Sequence, residues 1–306
     1  LGELDSEAIG YALGPRINAA GRMDHAELAL GLMLAETEEE ALRLAAQLEE
    51  QNKRRQKATE AMMIEALRLT SEGMAIEARA GSRQGALTVL WNADWSPALV
   101  GLVAGRYLEC TGRPCVAVGK HGGAWIGSGR SPSAYDITAA LHRAGDGLLT
   151  RVGGHPQACG FSFARDEDAQ LFAELLLADA TDRLKDAALA PEILVDAELL
   201  LEAVDWRLID TLKLFEPHGV GNPRPLFMSS GLEVLETSLV GKDGAHLRCT
   251  LRSKSGAAKK FIGFKLGKRA DEMGVGSRVD VIYDVGVNEW NGRRDIQCRL
   301  VDVRSS

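Results

Sequence analysis

The chain is poor in aromatic residues, 5% of its 306 positions. Base stacking on a nucleic acid is therefore expected to be sparse, with charge supplying most of the affinity. It also lacks any apolar run near the ~18 residues that a membrane-spanning helix needs, and no signal-peptide pattern opens it. This predicts a protein with no membrane partner. Its five cysteines (Cys110, Cys115, Cys159, Cys249 and Cys298) are odd in number, dispersed and without CxxC spacing. That spacing argues against a structural zinc site and predicts reduced thiols in a cytoplasm. Phosphate-loop, Ser–His–Asp and paired-carboxylate signatures are missing. The adjacent acids and histidine of "DHAE" (24–27) diverge on a helix and predict no metal site. Met does not begin the chain; "LGELDSEAIGYALGPRINAAGR" reads like the middle of a fold and predicts a missing N-terminal partner domain.

Charge is abundant but divided. The net charge is −7, yet residues 1–52 hold eleven acids against three arginines, while residues 239–269 hold nine bases against Asp243 alone. Local sign decides what a surface attracts, so the second segment is either a solvated lysine-rich hairpin or a face for a polyanion.

Periodicity divides the chain further. Thr37 and Glu40 form a capping box, and helical spacing then continues to Gly73, predicting a helix of more than thirty residues. Its centre, "EEQNKRRQK", shows no apolar stripe and predicts a helix bridging two domains through solvent. From 80 to 185 strand patterns ("ALTVLW", "CVAVGK", "GAWIGS") alternate with helices opening at Pro97 and Asp136 and at about 167, which predicts an α/β domain. Beyond 190 follow the rigid segment "EPHGVGNPRPLF" and five short strands near 231–240, 245–253, 258–264, 279–287 and 294–303. Five antiparallel strands in so short a span suit an OB-fold barrel.

Several clusters could hold an anion. "GPRINAAGRM" sets Arg16, Asn18 and Arg22 among small residues; guanidinium forks suit phosphate oxygens, although the arginines could equally salt the acids around them. "WIGSGRSPSAYD" gathers Ser128, Arg130 and Ser131 in a Gly-punctuated turn ahead of a helix start. "RVGGHPQACG" places Gly153, Gly154 and His155 where a backbone can turn sharply and a ligand can come close; the alternative is a tight turn feeding a strand. Trp95 and Arg106 of "DWSPALVGLVAGR" read as packing. In the basic segment, Arg248, Arg252 and Lys254 share one parity, as do Lys260 and Phe264.

"GPRINAAGR", "NKRRQ", "DWSPALVGLVAGR", "GSGRSP", "GGHPQACG" and "FEPHGVGNPRPLF" together resemble, in order and over essentially the whole chain, the RecJ family of single-strand-specific 5′→3′ DNA exonucleases within the DHH phosphoesterase superfamily. The resemblance implies a C-terminal remnant of a DHH domain over 1–23, a connecting helical region over 24–78, a DHHA1 domain over 79–188 and an OB-fold over 189–306. It implies metal-assisted phosphodiester hydrolysis in DNA repair and recombination, with Mn²⁺ or Mg²⁺ held by the absent DHH domain and no metal ligands in this chain. His155 becomes a group facing the substrate, alongside Arg16, Ser128 and Arg130. Single-stranded DNA is the implied partner, with a helicase and a single-stranded-DNA-binding protein as implied associates, and Phe261, Phe264, Tyr283 or Trp290 as implied stacking residues. The isolated chain is expected to bind DNA without cutting it. Near Trp95 the family usually writes His then Gly, where this chain has Ser96 and Ala98, so any substrate contact made by that histidine is lost or moved. The alternatives are a DHH/DHHA1 phosphoesterase acting on short oligonucleotides or cyclic dinucleotides, and a non-catalytic single-stranded-DNA-binding module.

Overall fold

A computed structural model describes residues 6, 8–73, 75–77, 86–163, 165–185, 189, 192–219, 221–290 and 292–306. The chain divides into two compact units, residues 10–192 and a barrel that begins at 193. The domain limit expected at 78/79 lies outside the described residues.

A π-helical turn, Ala8–Leu13, precedes three helices of the first unit: α1 (Gly14–Met23), α2 (Glu27–Leu34) and α3 (Glu38–Ser71). Pro15 sits in the first turn of α1, where its missing N–H costs nothing. Thr37 caps α3 by accepting a hydrogen bond from the Glu40 N–H at 3.3 Å. One stripe of α3 is buried from end to end. Its N-terminal half sets Leu48 against Ala20 of α1 and Ala29 of α2. Its C-terminal half sets Met62, Met63, Ala66 and Leu69 against α4 (Pro97–Thr111). Between the halves the stripe runs through Asn52 and Thr59, which are 2% and 1% exposed. This overturns the expectation of a solvent-bridging helix centre: the absent apolar residues are replaced by buried polar ones.

The sheet of this unit has the order β1 (Ile76–Glu77), β2 (Thr88–Trp91), β3 (Cys115–His121), β4 (Ala124–Arg130), β6 (Ala158–Phe163), β5 (Arg151–His155). Among the described residues of this sheet only β2 and β3 pair in parallel, as the α4 crossover between them requires. Side chains alternate across it. Cys115 and Ala117 face α3 and α4, whereas Val116 and Val118 face α5 (Ile137–Ala144) and α6 (Asp168–Leu184). Asp136 caps α5 through the Ala139 N–H at 2.9 Å, and Tyr135, Arg143 and Arg183 all donate to Asp179 of α6.

A close backbone approach fixes the start of α4. A Cβ at Gly119 of β3 would fall 2.2 Å from the Trp95 carbonyl oxygen, which precedes the helix. Gly119→Ala is expected to destabilise the unit by ~1–3 kcal/mol, because backbone rather than a pliable side chain must move. Urea denaturation followed by tryptophan fluorescence measures this; an unchanged midpoint would show that the loop yields freely.

In the second unit a short strand β7 (Ala197–Glu198) and helix α7 (Trp206–Lys213) lead into β8 (Phe227–Val240), β9 (His246–Arg252), β10 (Ala258–Gly263), β11 (Arg278–Trp290) and β12 (Arg293–Ser305). The order β11-β12-β10-β9-β8 closes through β11–β8 pairing, giving a five-stranded OB barrel. Leu247, Cys249, Leu251, Phe261, Tyr283 and Cys298 fill it.

Candidate nucleic-acid interface

Arg130, the last residue of β4, lies along α4. A Cβ at Gly101 would stand 3.0 Å from Ser128 Oγ and 3.2 Å from Arg130 Nη2, and one at Gly105 would stand 4.0 Å from Arg130 Cγ. The two glycines of "VGLVAGR" therefore leave the room in which this guanidinium rests. Arg130 Nη1 donates to Ser128 Oγ at 2.9 Å and to the Gly129 carbonyl at 2.7 Å, while Ser128 Oγ donates to the Cys159 carbonyl at 2.9 Å. The serine thus orients the arginine. Burial, and after it the charge of Arg22, lowers the Arg130 pKa, but a guanidinium stays protonated there.

Arg22 lies at the end of α1, exposed, with Nη1 on the Ala98 carbonyl at the start of α4 at 2.9 Å. Asn18, one turn earlier, is exposed and shares its helix face. Two further arginines join them electrostatically: Arg106, read from the sequence as packing, and Arg55. Arg55 of α3 has its pKa lowered by burial first, then by the charges of Arg106 and Arg22. Among the described residues none of Arg22, Arg55, Arg106 and Arg130 forms an ion pair with a carboxylate. Other partly buried arginines do: Arg299 pairs with Asp284 at 2.7 Å and Arg143 with Asp179 at 2.7 Å. Four guanidiniums are left without acids, some partly desolvated, and concentrate positive charge.

Other expected members fall elsewhere. Arg16 is turned from this cluster to α3, where Nε meets Glu49 Oε2 at 2.6 Å and Nη1 the Ala12 carbonyl. Here the reading of arginines salting neighbouring acids holds. Ser131 is 2% exposed and donates its hydroxyl to the Tyr135 carbonyl at 2.7 Å, so it builds the turn rather than touching a ligand. Gly153, Gly154 and His155 lie on β5, the edge strand of the sheet, and all three are exposed. Nothing lies within 4 Å of a Cβ built on Gly153, whereas Gly154 has φ +151° and a Cβ there would strike the Ala158 carbonyl at 2.3 Å. The His155 carbonyl accepts from Thr138 Oγ1 at 2.6 Å, and the residue is exposed.

On the barrel, outward residues of three strands align in cross-strand rows: Ser238–Arg248–Ile262 and Glu236–Thr250–Lys260. Beyond the paired residues, exposed Phe264 meets His246 edge-on, ring centroids 5.4 Å apart. Arg248 and Lys260 thus share a face. Arg252 is on the same side but bound to Glu233 at 2.9 Å, and Lys254 is exposed in the turn after β9. Lys259 and Arg269 are also engaged, with the Val204 carbonyl and with Glu272 and Asp302. Phe261 and Tyr283 are 1% and 0% exposed, which removes them as stacking residues, and the Trp290 side chain lies outside the described residues. Burial raises the thiol of Cys249 to about 12 and that of Cys159 to about 11, so neither is a nucleophile.

Among the described residues no three His, Cys, Asp or Glu side chains gather as metal ligands, and no helix is long and apolar enough to cross a membrane. The residues present do not fit a divalent ion.

Comparison with known proteins agrees with this architecture. The DHHA1 domain family matches residues 84–182 and the RecJ OB domain family residues 195–302. The single-stranded-DNA-specific exonuclease RecJ of Thermus thermophilus is 33% identical over 98% of this chain and 42% of its own length, and that of Bacillus subtilis is 29% identical over 100% and 38%. A crystal structure of the Thermus protein in complex with Mg²⁺ superposes with a TM-score of 0.80 at 30% identity, covering 99% of this chain and 44% of that one. A second, with Mn²⁺, gives 0.79 at 31% identity over 99% and 42%. The chain spans about two-fifths of the length of these relatives, and what it carries is the DHHA1 and OB domains of the RecJ family.

Proposed function

We propose that this chain holds the substrate of a single-strand-specific 5′→3′ DNA exonuclease acting in repair and recombination. The observation that carries the reading is the acid-free cluster around Arg130. Arg130, oriented by Ser128, and Arg22 take phosphate oxygens, neutralise charge that would repel a nucleophile, and fix the phosphodiester against one wall. His155 approaches the same strand of DNA from the β5 edge, where Gly153 leaves the backbone uncovered. Arg248 and Lys260 hold further phosphates on the barrel, and Phe264 with His246 offers a base a surface to stack on. The Mg²⁺ or Mn²⁺ named with the Thermus structures belongs in this reading to a DHH domain, and supplies the activated water. A helicase and a single-stranded-DNA-binding protein are the associates the reading implies.

The 306-residue chain is expected to bind fluorescein-labelled oligothymidylate, to prefer it over duplex of the same length, and to release no nucleotides with Mn²⁺ present. Fluorescence anisotropy and a gel assay of labelled product read these. Equal affinity for duplex, or metal-dependent degradation by rigorously purified chain, overturns the proposal.

A further inference from the structure

The barrel closes through β8 and β11, and one strand is left outside it. Among the described residues β7 pairs with β8 alone and forms the outer edge of the sheet. Hydrogen bonds from the Asp196 N–H to the Leu226 carbonyl and from the Leu199 N–H to the Met228 carbonyl, both 2.8 Å, carry that pairing past the strand itself. The other edge of β7 has no neighbouring strand, so its backbone is a template for one more. Natural edges are blunted by brevity and charge, and Asp196 and Glu198 fit that pattern. Leu194 and Leu200 do not. They are 83% and 76% exposed and share a parity with the two acids. Where the strand ends, a groove of about 530 Å³ opens between residues 199–202, the start of β8 and the turn after β9. The buried Leu201 and Leu232 line its floor, exposed Leu200 stands at it, and Ser253 and Ser255 bring hydroxyls. An open edge that runs into an apolar groove is what strand addition uses: the main chain supplies affinity and the groove takes a side chain.

Charge separates the occupants that such an edge would take. Residues 193–216 hold six acids against Arg207 and Lys213. All six acids are exposed, and among the described residues none forms an ion pair. Asp196, Glu202 and Asp205 accept instead from neutral donors, the Leu226 N–H, Ser253 Oγ and the Leu208 N–H. A phosphate backbone is repelled by this stretch. A second copy paired about a two-fold axis would set Asp196 and Glu198 against their own counterparts, and like charges opposed across strands are destabilising. A segment alternating basic and apolar residues matches both the acids and the leucines. We propose that the free edge of β7 is a docking site for such an extended segment of a partner protein, which adds as a further strand and seats an apolar side chain in the groove beside Leu200. This docking site is independent of the DNA reading of β9 and β10.

Fluorescence anisotropy of a fluorescein-labelled peptide alternating lysine and valine, titrated with the 306-residue chain, tests it. One control peptide carries glutamate in place of lysine, and another carries proline in place of valine and cannot pair as a strand. The lysine–valine peptide is expected to bind about tenfold or more tightly than either control. Leu194→Ser together with Leu200→Ser is expected to weaken its binding about tenfold, by removing the exposed anchors. Glu198→Lys is expected to weaken the lysine peptide and strengthen the glutamate peptide. These three side chains are exposed, so both variants should fold as the wild type does. The leucine variant should also keep its affinity for oligothymidylate. Equal binding of the three peptides, or full binding by both variants, overturns the site. A loss of oligothymidylate affinity in the leucine variant gives the face to DNA, and a sedimenting dimer that the same variant dissolves gives it to a second copy; either overturns the partner protein. So does a full-length protein carrying this chain that fails to bind the peptide its 306-residue portion binds, because its own remaining domains then cover the edge.

Discussion

Arg130→Met in a full-length protein carrying this chain is expected to lower kcat/KM on single-stranded DNA by on the order of 10²–10³-fold. Arg130 spends Nη1 on Ser128 Oγ and the Gly129 carbonyl, and these two bonds fix the plane of the guanidinium. The donors on Nε and Nη2 have no acid among the described residues, so a substrate oxygen meets them already oriented. Arg130→Lys is expected to recover little, since a point charge on a flexible stem cannot reproduce a fork held against Gly101 and Gly105. Affinity for a long oligonucleotide is expected to fall far less than turnover, because in the proposed reading the barrel supplies phosphate contacts of its own. Steady-state hydrolysis and equilibrium anisotropy on the same variant separate the two. Near-normal kcat/KM on short substrates would make Arg130 a packing residue.

How much of this was legible in the residues follows from what kind of contact each one makes. Local signals carried the elements: Thr37, Asp136 and Pro97 mark helix starts because caps and first-turn prolines act within a few residues. Period-two alternation marked β9, where Leu247, Cys249 and Leu251 point in and Arg248 and Arg252 point out. The same rule, applied to β10, buries Phe261 with Gly263 and leaves Lys260 outside, so the burial of that aromatic was available from its parity. Helix α1 was hidden because Gly14, Pro15 and Gly21 are turn signals that punctuate its pattern.

The centre of α3 misled for the opposite reason. Its core-facing positions hold Asn52 and Thr59, with Arg55 half-buried between them, and a rule that equates interior with apolar reads polar residues there as solvated. Spacing alone could have flagged them, since 48, 52, 55, 59 and 62 continue one helical stripe. Ion pairing between distant segments left no such trace. Arg16 with Glu49 and Arg252 with Glu233 are joined by the fold across 33 and 19 residues. Composition around "GPRINAAGRM" cannot say that Arg16 is neutralised while Arg22 is not.

That distinction decides which charges of the barrel contribute to binding. Reversing Arg248 and Lys260 together to glutamate is expected to flatten the slope of log K against log salt by about 1.4, at about 0.7 per phosphate released on a single strand, and to weaken binding about tenfold or more near 0.15 M salt. The two lie on adjacent outward rows, Arg248 across from Ile262 and Lys260 across from Thr250, with no acid paired to either among the described residues. Glu236 shares the face but is occupied by the Thr250 hydroxyl at 3.2 Å. Replacing Arg252 and Glu233 together by glutamine is expected to change the slope little, because the two charges already cancel each other at 2.9 Å. Lys254→Glu tests the turn beside it and is expected to fall between the two. Exposed charges contribute little to folding, so Tm should remain within about 2 °C of wild type. Anisotropy titrations of the 306-residue chain with oligothymidylate at four salt concentrations measure the slope. An unchanged slope in the Arg248/Lys260 variant would assign this face to something other than a phosphate backbone, and a large loss in the Arg252→Gln, Glu233→Gln variant would mean that the ion pair opens when DNA binds.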